Sequence, residues 1–403
     1  MSTPTSHCHL RPLIPAALQN EVDLHIEKVR EQMRRDNIEA LLVNGNANIY
    51  YLTLRYFRGY IWIPLEGDPV YFVIRPGDLT GDSIIPIRKP EQIVDGLTER
   101  AHEIPKRIGL EFGELYYSEV TRLQALFPDS ETVDSTMTLR RARMVKTDWE
   151  QHQMRYDGAM QSSIYRKIPE LYREGMTDME LQIVIETELR QRGNLGYARV
   201  SGRLMEIGLG SVISGDNADV PSPYDFAMGG SGISSSLPGG ADGREMTVGT
   251  TVMVDMNGMF NGYQSDMTRT WAIGDVSELA HKAHRCSIAI LRRLEELGRP
   301  GYKVADMYRT AAKMAEEEGL KDYFMGHCQS VPFIGHGVGI ELNEIPVIME
   351  RSRDILAAGM TLAIEPKFVI PGVGAVGAEN TYIVTADGLE SITKLSEELT
   401  DLL

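Results

Sequence analysis

Five residues in the C-terminal part of this 403-residue chain have types and spacing that could do metal chemistry: Asp255, Asp266, His336, Glu365 and Glu379. Asp255 and Asp266 flank "NGMFNG" in the segment TVMVDMNGMFNGYQSDMTRTW, which reads as a hairpin with its loop near 259–262. Counting outward from that loop predicts that the two aspartates face each other on adjacent strands, with Cβ atoms roughly 5 Å apart. Glu365 and Glu379 each lie seven residues from Gly372 in LAIEPKFVIPGVGAVGAENTYIV, so they too are expected to face each other across a hairpin. Facing carboxylates repel, and a fold that places two such pairs in apolar sequence needs a positive group between them or shared protons. His336, between Gly335 and Gly337 in GHGVGIELNE, adds one nitrogen donor. Four carboxylates and a neutral imidazole match two divalent cations in charge. The oxygen-rich donor set suits Mn²⁺, Fe²⁺ or Co²⁺, with Zn²⁺ also possible and Mn²⁺ favoured. Two such ions would hold a water between them and lower its pKa, giving a hydroxide nucleophile at neutral pH.

The elements that must position these groups follow from periodicity. Between 20 and 145 the pattern is α/β. LHIEKVREQMRRDNI carries Ile26, Val29 and Met33 on one helical stripe. EALLVNG, GYIWIPL, DPVYFVI, PKRIGLEF and ETVDST read as strands. The charged stretch LRRARMVK marks a boundary, giving domains 1–145 and 146–403. Thr147 with Glu150 forms a capping-box pattern that starts a helix. Helical segments are expected at 151–173, 178–192, 278–298 and 303–319. A glycine-rich, strand-like block is expected from 195 to 274 and another from 333 to 393. Helix pairs and strand blocks thus alternate twice, which points to an internal duplication.

The order Asp255, Asp266, His336 in GHGVG, Glu365 in AIEP and Glu379 in AEN resembles the pita-bread metallopeptidases, the family of methionine aminopeptidase, aminopeptidase P, prolidase and the metal-free creatinase. GYQSDMTRT, HGVGIELNEIP and LAIEPKF match as well, and the resemblance covers most of the chain. It implies an α/β (α+β) architecture: a creatinase-type N-terminal α/β domain, then a pita-bread catalytic domain of two related halves. It implies that Asp255 binds one metal, that Asp266 and Glu379 bridge both, and that His336 and Glu365 bind the second. It further implies a bridging hydroxide that attacks an amide carbonyl, a proton shuttle at Glu379 or Glu365, and a homodimer.

The motif also departs from that family. The peptidases carry histidine where this chain has Asn343, and a histidine in an upstream turn where Gly239 stands at or near the place. Prolidase and aminopeptidase P carry arginine where this chain has Gly377. Asn343 can donate a hydrogen bond but cannot relay a proton as histidine does, and Gly377 is expected to leave space. His327 is a conceivable stand-in. The leading expectation is an Xaa-Pro aminopeptidase or dipeptidase with Glu365, Glu379 and Asn343 as catalytic residues, acting on a short peptide or other small molecule. The alternatives are a metal-dependent hydrolase or lyase of a small non-peptide substrate, and a non-catalytic binding protein.

Composition excludes several classes. The net charge of -16 and the lack of a basic stripe argue against nucleic-acid binding. No run of apolar residues is long enough to span a membrane, and the first residues lack the pattern of a secretory signal. Three scattered cysteines, Cys8, Cys286 and Cys328, fit a reduced cytoplasmic setting. His7, Cys8 and His9 could touch a metal but read as a frayed tail. GVGAVG (372–377) matches a dinucleotide-loop pattern, yet a β-prone run follows it, so it reads as a hairpin turn.

Overall fold

The computed structural model describes residues 10–202 and 206–403; His7, Cys8 and His9 lie outside them. The chain falls into two compact units, 1–143 and 144–403.

In the first unit, helix α1 (Gln19–Asp36) buries Val22, Ile26, Val29 and Met33 at helical spacing. It ends where Asn37 turns left-handed. Six strands form a mixed sheet: β1 (Ala40–Val43), β2 (Arg58–Pro64), β3 (Val70–Arg75), β4 (Ile84–Pro86), β5 (Arg107–Leu110) and β6 (Glu131–Asp134), in the order β4-β3-β2-β1-β5-β6. The β-branched and aromatic runs read from sequence all occupy this sheet.

The second unit begins with α2 (Asp148–Tyr165). The Thr147 hydroxyl accepts from the Glu150 N–H at 3.1 Å, and the Glu150 carboxylate accepts from the Thr147 N–H at 2.8 Å. The single helix expected over 151–173 is in fact interrupted after Tyr165, and a short turn of helix at Ile168–Leu171 follows. Pro169 lacks an N–H and clashes with the preceding turn, so it cannot continue the first helix. Helix α3 (Asp178–Gln191) repeats the capping box with Thr177 and Glu180.

Strands β7 (Gly210–Ser214), β8 (Thr250–Gly258) and β9 (Ser265–Ile273) then form an antiparallel ladder, and β17 (Thr400–Asp401) pairs parallel to β9. The strand-like block expected from 195 is mostly loop: between Ser214 and Thr250 lie a 3₁₀ turn and a long glycine- and serine-rich connection. Helices α4 (Glu278–Leu297) and α5 (Val304–Glu317) precede a five-stranded sheet. Its strands are β10 (Phe333–Gly337), β11 (Glu344–Met349), β12 (Thr361–Ile364), β15 (Asn380–Val384) and β16 (Leu389–Ser391), in the order β11-β10-β12-β15-β16. The hairpin β13 (Lys367–Ile370) and β14 (Gly374–Gly377) extends from it.

Each half has its own core. Val252, Val254, Met256, Met267 and Trp271 pack with Ile164, Leu181 and Ile185 of α2 and α3. Leu362, Ile364, Phe368 and Tyr382 pack with Ile290, Leu294, Met307 and Ala311 of α4 and α5. Strand side chains alternate between faces. Residues 255, 266, 365 and 379 therefore fall on the faces turned away from the helices.

Candidate metal centre

The first hairpin is shifted from the register expected. Asp255 pairs with Thr268, and Asp266 pairs with Asn257. The turn spans Met259–Gln264 and its centre lies later than a symmetric count gives, so the aspartates are diagonal neighbours. They still share a face, because a shift of two residues preserves it. The second hairpin follows the expected count. Ile364 faces Asn380 in one ladder and Lys367 faces Gly377 in the next, so Glu365 and Glu379 sit opposite each other where the ladders break.

The structure brings all five candidate residues together. Donor atoms of Asp266, His336 and Glu379 lie within 4.8 Å of one another, as do those of Asp255, Glu365 and Glu379. His336 Nε2 stands 3.8 Å from Asp266 Oδ2 and 3.8 Å from Glu365 Oε1. Its Nδ1 lies 3.1 Å from the carbonyl of Gly337, which fixes the tautomer with hydrogen on Nδ1 and aims a bare Nε2 at the two carboxylates. Those gaps are too long for hydrogen bonds. They are close to the spacing of about 3–3.7 Å between ligands that share one ion at about 2.1 Å.

Glu379 is buried. Its Oε2 accepts from the Thr268 hydroxyl at 2.7 Å, while its Oε1 has no hydrogen-bond partner. An orphaned buried carboxylate oxygen is costly, and a cation would satisfy it. Burial holds the carboxyl pKa values of both Asp266 and Glu379 well above the ordinary range, and their acidic neighbours add to the effect. A divalent ion therefore fits the side of the cluster formed by Asp266, His336, Glu365 and Glu379.

On the other side stands a residue outside the five candidates. Lys367 is fully buried, and its Nζ donates to Glu365 Oε2 at 2.7 Å and to Asp255 Oδ2 at 2.8 Å, with Glu379 Oε2 at 3.3 Å. Burial by itself would lower the lysine pKa, but the attraction of Asp255, Glu365 and Glu379 outweighs it and holds the ammonium well above the ordinary value. The signal was available: residues 365 and 367 share a strand face, and a lysine two residues after a site glutamate in the apolar run LAIEPKFVI is out of place on a core strand.

Other supports were also missed. Arg269 is buried, and its guanidinium donates to the Glu379 carbonyl at 2.7 Å, to Asn380 Oδ1 at 2.8 Å and to carbonyls at 393, 395 and 396. It thus fixes the backbone that carries Glu379. Lys146 and Glu344 form a buried ion pair at 2.8 Å, and Glu344 also accepts from the N–H groups of Ile340 and Glu341, which shapes the turn after His336.

Asn343 accepts from the Ser201 N–H at 2.7 Å and donates to the Ser201 carbonyl at 2.8 Å, so its amide clamps a loop beside the cavity. Gly377 does not leave space. Its φ is +137°, and a Cβ there would meet the Pro366 carbonyl oxygen at 2.7 Å and Ser287 Oγ at 3.1 Å. Gly335 serves strand packing, since a Cβ would lie 2.1 Å from the Ala363 carbonyl oxygen. Gly239 lines the cavity described below. His327 does not line it; its Nδ1 pairs with Asp219 at 2.8 Å in an exposed loop.

A cavity of about 810 Å³ opens onto Asp255, Asp266, His336 and Glu365. Phe226 and Phe333 are among its apolar walls.

The sequence model of metallopeptidase family M24 matches residues 152–386, and that of the creatinase/prolidase N-terminal domain matches residues 25–145. The chain belongs to metallopeptidase family M24. The Xaa-Pro dipeptidase of Pyrococcus horikoshii is 25% identical over 379 residues, covering 93% of this chain and 98% of its own. That of Pyrococcus furiosus is 25% identical over 381 residues, covering 93% and 99%. Among solved structures, the Xaa-Pro dipeptidase from Bacillus anthracis matches this M24 protein with a TM-score of 0.79 at 22% identity, covering 94% of this chain and 99% of that one. The prolidase from Pyrococcus horikoshii OT3 matches with a TM-score of 0.74 at 22% identity, covering 93% and 99%. The architecture is thus a creatinase-type N-terminal domain followed by the M24 catalytic fold.

Proposed function

We propose that this M24 protein is a metal-dependent peptidase that cleaves Xaa-Pro bonds in short peptides. The observation that carries this reading is the convergence of Asp255, Asp266, His336, Glu365 and Glu379 at one cavity, in a chain whose full-length relatives include Xaa-Pro dipeptidases. Mn²⁺ is the favoured ion, because the donors are mostly hard oxygens. A homodimer and a cytoplasmic setting complete the reading.

A divalent ion held by Asp266, His336, Glu365 and Glu379 would supply Lewis-acid activation of water and of the scissile carbonyl. The chain's own residues do the rest. Glu365 reaches the cavity, and its Oε1 faces His336 while its Oε2 is held by Lys367. Glu365 Oε1 has two lone pairs, so beside holding the ion it is placed to take the proton from the attacking water and pass it to the leaving proline nitrogen. Glu379 does not line the cavity and is enclosed by Thr268 and Lys367, which makes it a holder rather than a shuttle. Asn343 shapes the wall through Ser201 instead of relaying a proton.

One observation favours a second reading, a small substrate without a free carboxylate, non-peptide amides included. None of the described residues lining the cavity is lysine or arginine, whereas Asp225 and Glu206 do line it. Among the described residues, none there would give a free C-terminal carboxylate a lysine or arginine partner.

The test is to load the purified protein with Mn²⁺ or Co²⁺ and compare Xaa-Pro, Xaa-Pro amides, longer Xaa-Pro peptides and small cyclic amides. Cleavage of the Xaa-Pro bond, with KM for the amide no higher than for the free dipeptide, is expected. Metal-loaded protein that cleaves none of the peptides would sink the peptidase reading, and turnover of only the small amides would establish the second one.

A further inference from the structure

The position of Lys367 bears on the number of ions the centre holds, and the inference drawn from it rests on the metal-dependent reading above. We infer that the Lys367 ammonium takes the place of one of the two cations, so that the centre binds a single divalent ion beside a built-in positive charge.

The five candidate ligands form two groups of donors, and Glu379 belongs to both. Lys367 Nζ contacts all three members of one group, Asp255, Glu365 and Glu379, at 2.7–3.3 Å. An ammonium has three N–H donors, and here three carboxylates are placed to receive them. The two glutamates divide their oxygens in the same way. Glu365 gives Oε2 to Lys367 and turns Oε1 toward His336. Glu379 gives Oε2 to Lys367 and Thr268 and leaves Oε1 buried without a partner. The outer oxygens, together with Asp266 and His336, define one remaining position for a cation.

The lysine is also held where it is. Its N–H donates to Met325 Sδ at 3.3 Å, and its carbonyl accepts from the Met325 N–H at 2.8 Å, so both sides of its backbone are pinned. The residue opposite it in the ladder is Gly377, where a Cβ would press on the Lys367 Cα at 3.1 Å. No part of the lysine side chain reaches solvent. An ion entering the group of Asp255, Glu365 and Glu379 would have to displace a fully buried ammonium held by three carboxylates.

The experiment is metal stoichiometry. Wild-type protein and Lys367→Ala are stripped, dialysed against saturating Mn²⁺ and analysed for bound metal per chain. One equivalent is expected for the wild type and two for Lys367→Ala, since removing the side chain vacates the second position. Electron paramagnetic resonance of Mn²⁺-loaded wild type, which does not depend on a variant folding, should show an isolated ion. Two equivalents in the wild type, or an exchange-coupled pair of ions in its spectrum, would overturn the inference while leaving the peptidase reading intact. One equivalent without cleavage of any Xaa-Pro peptide would support the inference and sink the peptidase reading. No bound metal in the wild type would overturn both.

Discussion

At the residue scale, the acidic positions that converge at the cavity were legible because acidic residues stood inside apolar strand sequence, where an unpaired charge is too costly to be incidental. Asp255 in MVDM and Glu365 in LAIEP are the clearest cases. Their partners in charge were harder to see. Lys367, Arg269 and Lys146 are common residue types, and only the folded chain shows that each is buried against carboxylates or carbonyls. The roles of Asn343 and Gly377 were not legible either, since both depend on backbone that folds against them from elsewhere, Ser201 in one case and Pro366 in the other. Glu365→Gln keeps the shape of the shuttle but cannot take a proton. It is expected to lower kcat by about 10²–10⁴-fold, with KM changed far less. Metal content is measured on the same sample, because Glu365 is also one of the residues that would hold the ion; an unchanged kcat per bound ion would remove Glu365 from the proton path. Arg269→Ala removes the guanidinium donor from six carbonyl and amide acceptors and is expected to destabilise the catalytic unit by about 3 kcal/mol or more, as read by urea denaturation.

At the element scale, periodicity found the helices of the catalytic unit, because each capping box and each apolar stripe is local. Hairpin register was less legible. The loop after Gly258 is asymmetric, and the diagonal placement of Asp255 and Asp266 follows from that turn rather than from the strands. The connection between β7 and β8 was mistaken for strand because its glycines and small residues carry little period of any kind. Helix α4 has a second task that its sequence did not disclose. Its His284 is buried, with Nε2 donating to the Glu397 carbonyl at 2.6 Å and Nδ1 accepting from the Gly377 N–H at 3.2 Å. It thereby ties the helix to the strand end beside Glu379. Burial pulls its pKa down from 6.5 to about 4. The charged form is disfavoured in the folded state, so this contribution is complete above pH 6.5 and is lost as the pH falls from 6.5 through about 4. The total is about 3 kcal/mol. Unfolding free energies measured between pH 7.5 and 4 should fall more steeply for wild type than for His284→Asn; parallel slopes would rule this out.

At the scale of the whole molecule, length and composition placed the chain among two-domain globular proteins and argued against nucleic acid as a partner. Among the described residues, no helix is long and apolar enough to cross a membrane. A metal that binds only the folded catalytic unit should stabilise it through mass action. At a hundredfold excess over Kd the gain is about 2.7 kcal/mol, or a rise in Tm of roughly 5–10 °C for a unit of this size. Asp266→Ala should abolish that rise, and an undiminished rise in the variant would place the ion elsewhere. The buried ammonium of Lys367 has a consequence for how the protein comes into being. A pocket of clustered carboxylates that relied wholly on captured ions would have to close over unbalanced charge whenever those ions were scarce. Here part of the counter-charge is written into the gene and arrives with the chain as it is synthesised. The catalytic unit therefore depends on the metal supply of the cell for only part of the charge its fold must balance.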